Sequence, residues 1–293
     1  MAIVEGSSKG AVVGTVDSCK ESSAFNYPGR EVNMAGLIEY WKSFDSNSSP
    51  YITREDKEVI EPQRHYTCTS YEEFLSVVHG EGGSEFFTKH KLHLGLIPQP
   101  FIGDLRQAKV FILMLNPGFG PIEYVQENQH QEFRDALRKN LRQSSESLEC
   151  PFLFFDPRFL WTPGGEYWKR KLKDIIEAFC KRKNVSYLDA TRVLSKKIAT
   201  LELIPYHSAS APKDLVNLYS ATLMKEFVRD ILVPRAVAKE VVIVCTRQTD
   251  AWGLNGSSCN NVIVYKPKER QAASLGRGSR AWPRVAWILG LED

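Results

Sequence analysis

Apolar and polar residues do not alternate evenly along this chain; they change texture near residue 108. After that point come four short, almost continuous apolar runs: AKVFILML at 108–115, ATLELI at 199–204, VVIVC at 241–245 and NVIVY at 261–265. Runs of that length, apolar on both sides, predict strands of a buried parallel sheet. The segments between them read as helices. Over 165–183, Trp168, Leu172, Ile175, Ile176 and Phe179 share one face while lysines take the rest. Over 213–232, Leu215, Leu218, Thr222, Leu223 and Phe227 recur at helical spacing, with Pro234 as the stop. A last helix is expected over about 280–290, and PFLFF near 152–155 reads as a further strand or as buried core. Strands alternating with helices predict an α/β fold, a three-layer α/β/α domain with about four parallel strands over 101–293.

The first hundred residues look different. Residues 1–30 are rich in Gly and Ser, lack periodicity and are expected to be flexible. Residues 31–100 read as a mostly helical N-terminal extension packed on the core. One helix is expected near 33–44, and another starts at Ser70 with Glu73 completing a capping box. The charged stretch 53–66 has no clear period. GEGG at 80–83 and the prolines at 98 and 100 then break the pattern.

Composition narrows the classes. The 293 residues carry 38 Lys and Arg against 35 Asp and Glu, so a net charge of +3 neither demands nor excludes nucleic acid. No apolar run approaches the length of a membrane span, and the N-terminus lacks a signal-peptide layout, so a soluble cytoplasmic or nucleoid-associated monomer is expected. Six cysteines without Cys-x-x-Cys spacing argue for free thiols rather than a cluster or disulfide frame. His90-x-x-His93 lacks an adjacent carboxylate or Cys, and no cofactor or metal is expected.

In an open parallel sheet, ligands bind beyond the carboxyl ends of the strands. That rule selects Asn116-Pro117-Gly118-Phe119-Gly120, then Pro205-Tyr206-His207-Ser208, then the region 266–280. The first is either a simple turn or a loop whose glycines admit a ligand, with the Asn116 amide orienting a water or a polar ring edge. Phe119 and Tyr124 are candidates for an aromatic face or for the core. His207 is a donor, a general acid or a structural residue. Tyr206 is a pocket wall or a core residue. Residues 265–285 hold Lys266, Lys268, Arg270, Arg277, Arg280 and Arg284 against Glu269, either a phosphate grip or a solvated basic loop. Trp161, in a long aromatic loop, could stack on a base.

The run VFILMLNPGFG at 110–120 resembles the first motif of the uracil-DNA glycosylase superfamily, nearest its mismatch-specific branch, where a strand ends in Gly-x-Asn-Pro-Gly. This chain has Met114-Leu115 where that branch has Gly and an apolar residue. The likeness spans roughly 100–291. It implies a monofunctional hydrolase that flips a damaged base, most plainly uracil, out of DNA and cleaves its N-glycosidic bond. It further implies that Asn116 positions the attacking water, that Phe119 stacks on the base and that Glu202 stands near the place of the base-reading Asn. The late His-Pro-Ser motif is replaced by Lys266-Pro267-Lys268, with Leu275 or Arg277 as the wedge. A catalytically silent nucleic-acid binder of the same fold and an N-glycosidase of free nucleosides or nucleotides are the alternatives.

Overall fold

The structure, a computed structural model, describes residues 34–80, 90–211, 213–269 and 274–292. The expectations for residues 1–30, for Gly82 and Gly83 and for Arg270 lie outside them. The described residues all fall within one compact unit.

The chain begins with α1 (Met34–Lys42), which buries Leu37, Ile38 and Trp41. The stretch without clear period contains α2 (Arg54–Ile60), capped by Thr53. A short strand β1 (Tyr66–Cys68) leads into α3 (Tyr71–His79). Ser70 accepts from the Glu73 amide there, while Glu73 reaches back to the amide and hydroxyl of Thr69 at 2.7 and 2.8 Å. The capping box therefore closes one residue earlier than the usual pattern. β2 (Leu92–His93) pairs in parallel with β1.

The main sheet has five strands and is mixed. β3 (Phe101–Ile102) is an antiparallel edge strand absent from the sequence reading; its two residues carry no readable period. It is pinned by Gly103, at φ +119°, where an added Cβ would sit 2.6 Å from the Ile198 carbonyl. β4 (Val110–Met114) follows, then α4 (Ile122–Gln129) and α5 (Gln131–Leu141). Leu153–Phe155 is a buried 3₁₀ turn rather than a strand. The helix expected over 165–183 is two helices, α6 (Pro163–Lys171) and α7 (Lys173–Lys183), bent at Leu172 with the apolar stripe unbroken. After α8 (Tyr187–Ser195) comes β5 (Ile198–Glu202).

Pro234 does not stop the helical segment that begins with α9 (Tyr219–Phe227). A π turn, Val228–Leu232, hands the chain to α10 (Val233–Val237), where Pro234 stands at the start and its missing N–H is not needed. β6 (Val242–Cys245), β7 (Val262–Val264) and α11 (Trp282–Leu289) complete the fold.

In space the strands run β3-β5-β4-β6-β7, the last four mutually parallel. Period-two alternation splits their side chains between two cores. Phe111, Leu113, Leu201 and Ile243 pack with Trp41, Met224 and Phe227, so the N-terminal helices share the domain core. Val110, Ile112, Ile198 and Val244 pack with Phe133, Trp168, Ile176, Leu194 and Val285 on the other face.

Candidate active site

Successive strands turn in opposite directions from β4: β5 lies on one side of it and β6 on the other. Such a reversal opens a crevice at the strands' carboxyl ends. Asn116 stands two residues past β4 at this place and is half-buried. Its Nδ2 donates to the carbonyls of Pro117 (2.7 Å) and Ser208 (2.9 Å) and lies 3.1 Å from Ser208 Oγ. Two carbonyls can only accept, so they fix which amide atom is nitrogen. Oδ1 is left as the acceptor, with no partner among the described residues. Gly118 beside it is exposed, and a Cβ there would meet nothing within 4 Å.

The loops after β4 and β5 are stitched together. Ile204 N–H donates to Leu115 O (2.8 Å), Ser208 N–H to Pro117 O (3.3 Å) and His207 Nδ1–H to Gly118 O (2.8 Å). This hydrogen bond corrects the expectation that His207 is a donor to a base or a general acid. The ring is buried, its only Nδ1 proton is held by a carbonyl, and burial drives its pKa down to about 4 against the opposing effect of the Gly118 bond. Its bare Nε2 faces Glu127 Oε1 at 4.0 Å, and neither atom has a partner among the described residues. Burial raises the Glu127 carboxyl to about 8. The proton therefore resides on Glu127 and the contact is not an ion pair. Glu127 Oε2 accepts from Ile97 N–H at 2.9 Å.

Beneath the first loop lies a polar cluster the sequence reading did not assemble. Glu123, one turn before Glu127 on α4, accepts from Gly120 N–H at 2.8 Å, and burial raises it to about 7. His93 stacks on Phe119 with centroids 3.4 Å apart and 14° between planes. His93 N–H also donates to His207 O at 2.9 Å. Burial, with His207 nearby, lowers the His93 pKa to about 3. Phe119 thus presents one face to His93 rather than to a base. Tyr124 is completely buried, stacked on Phe74 at 4.4 Å, with its hydroxyl 3.3 Å from His93 Nδ1, so it belongs to the core. Tyr206 is not a pocket wall either. Its hydroxyl donates to Asp56 Oδ2 (2.7 Å) and accepts from Thr53 N–H (3.2 Å), clamping α2 onto the domain. Asp56 Oδ1 accepts in turn from Ser220 N–H at the start of α9.

Glu202 ends β5 in register with Met114. It is buried, and its Oε2 has no partner among the described residues. Burial holds its carboxyl well above the ordinary range, opposed only by the Arg247 guanidinium. A neutral carboxyl can donate as well as accept, which an ionised one cannot. Arg247 is exposed in the loop after β6, which the sequence reading passed over; strand order, not local pattern, puts it beside the crevice. Tyr167 and Lys171 of α6 feel the same guanidinium.

The 266–280 segment is dispersed. Lys266 and Lys268 are exposed. Arg280 pairs with Glu269 at 3.1 Å. Arg277 is exposed, its guanidinium 5.6 Å from the Trp282 ring centre, while its backbone N–H donates to Asp174 at 2.7 Å. Leu275 is not a wedge: it is 1% exposed and belongs to the core. Trp161 is 44% exposed, with its N–H donated to Arg158 O and its ring tilted against His130. Among the described residues no three His, Cys, Asp or Glu side chains converge as metal ligands, and His90 contacts Ser210 O instead. No described helix is long and apolar enough to cross a membrane. Two surface concavities, about 450 and 420 Å³, lie at the strands' amino ends and beside β7, and neither is lined by Asn116.

No family model, curated protein or solved structure matches this chain.

Proposed function

We propose that the protein is an N-glycosidase that releases a damaged base from DNA, with uracil as the first substrate to test. The observation that carries this reading is the Asn116 amide. Its nitrogen is committed to Ser208 and Pro117, so its oxygen is the atom left to hold a water at the switch point. Helices against both faces of the sheet support the three-layer arrangement that the superfamily likeness implies.

In this mechanism the bond between the sugar's anomeric carbon and the base nitrogen breaks first. Its electron pair leaves with the base. The water held by Asn116 Oδ1 adds its oxygen to the anomeric carbon and loses a proton to solvent or to the departing base. Glu202, kept neutral by burial, donates to a base carbonyl and so stabilises the charge building there. Exposed Arg247 adds positive charge at the same rim.

A second reading, hydrolysis of free nucleosides or nucleotides, is favoured by one specific observation. Leu275 is in the core and Arg280 is neutralised by Glu269, so the segment proposed to grip a duplex offers less than its sequence promised. An oligonucleotide with one uracil, single-stranded and opposite A or G, tests the first reading by alkali-sensitive strand breakage. Deoxyuridine and its monophosphate test the second by base release. Breakage lost in Asn116→Ala supports the DNA reading; turnover of free nucleosides without breakage replaces it by the second. Neither activity refutes both.

A further inference from the structure

The concavity of about 450 Å³ at the opposite end of the sheet has a charge pattern that the folding of its neighbours does not require. Lys109 directly precedes β4 and Lys197 directly precedes β5. Parallel pairing of Val110 with Ile198 sets the two lysines side by side, and the amides of Lys109 and Val110 both donate to the Lys197 carbonyl, at 2.8 and 3.0 Å. Lys196, at the end of α8, and Arg192, one turn before it, complete the wall. The negative end of the α8 dipole accounts for those two cations. It does not account for Lys109 or Lys197, which stand just before two different strands. Arg192 is already paired with Glu149 at 2.6 Å. Lys109, Lys196 and Lys197 form no ion pair among the described residues.

Lys109, Lys196, Lys197 and Arg192 line the concavity with a single carboxylate, Glu149, which Arg192 takes up; the remaining excess of positive charge raises the local potential and favours an anion. The concavity falls within the size range of small-molecule sites. Val193 and Ile288 line it as well, an apolar contribution that a bare inorganic ion would not use.

We propose that this concavity binds a small phosphorylated organic molecule, its phosphates among Lys109, Lys196 and Lys197 and its organic part against Val193 and Ile288. The site is separate from the crevice at Asn116 and does not depend on the reading given to that crevice.

Titration calorimetry on the whole protein tests this with ATP, inorganic pyrophosphate and adenosine as probes. The expected result is saturable binding of one ATP, weaker binding of pyrophosphate and none of adenosine. Lys109→Glu combined with Lys196→Glu should weaken ATP at least about tenfold by reversing two nearby charges. A charge-matched control, Lys169→Glu with Lys181→Glu on the exposed sides of α6 and α7, should leave it unchanged. Binding that falls equally in the control identifies general charge attraction and overturns the proposal. So does the absence of saturable ATP binding in a wild-type protein of normal fold. Pyrophosphate bound as tightly as ATP overturns the part assigned to Val193 and Ile288.

Discussion

Glu127 offers a quantitative handle on the cluster beneath the Asn116 loop. Its folded pKa, about 8, lies above the ordinary 4.5, so the folded protein holds a proton that the unfolded chain releases. That linkage stabilises the fold fully below pH 4.5 and is lost as pH rises through 8. A group shifted between those two values costs the fold about 1 kcal/mol at pH 5 and about 4 kcal/mol at pH 8. Glu127→Gln keeps an oxygen for the Ile97 amide and offers an N–H to the bare His207 Nε2, but it cannot ionise. Urea unfolding of both proteins from pH 5 to pH 8 should therefore show the variant gaining about 3–4 kcal/mol relative to wild type across that interval, whatever their difference at pH 5. The gain must grow with pH. A difference that stays flat, or that shrinks, would mean that Glu127 is ionised in the folded protein and that the proton assignment between it and His207 is wrong.

Other substitutions separate structural from functional roles. Tyr206→Phe removes a buried hydroxyl bonded to Asp56 and Thr53 and should cost about 2–3 kcal/mol in urea unfolding; a loss near zero would refute the clamp. Leu275→Ala should destabilise by about 2–5 kcal/mol, with DNA affinity of the folded protein unchanged; a normal stability with lost affinity would restore the wedge. Arg247→Ala removes the cation that opposes protonation of Glu202, so Glu202 should stay neutral to higher pH. The alkaline fall in base release should then move upward, and a downward shift would contradict the donor role.

The parts of the fold legible in the sequence are those whose pattern is local. Each of the four apolar runs became a strand because burial on both faces leaves few polar residues to interrupt it. β3 was invisible, since two residues between Pro100 and Gly103 have no period and owe their pairing to Gly103 and β5. The bend at Leu172 left no trace because the apolar spacing continues through it, and the π turn before Pro234 inverted the meaning of a proline.

The site shows the same division. Chain position alone brought the Asn116 and His207 loops together, as parallel strands require. What His207 does could not be read, because its partners Gly118 and Glu127 come from a neighbouring loop and a helix. His93 was visible only as half of a His-x-x-His spacing, while its role against Phe119 depends on β2 reaching the domain. Leu275, flanked by Ser and Gly, looks exposed in sequence; only the packing of Tyr265, Leu275 and Ala281 in one core shows otherwise. Ser208 lies in the loop after β5, yet its grip on Asn116 is a long-range contact without a sequence signature.

The most direct test of the central claim is single-turnover release of free uracil from a uracil-containing oligonucleotide by wild type and by Asn116→Ala, with folding of both verified by circular dichroism. The account predicts release by wild type and a loss of at least about a hundredfold in the variant, since the positioned water is removed while Ser208 and the sheet remain. Equal release by the two proteins would contradict the assignment of Asn116 to the attacking water.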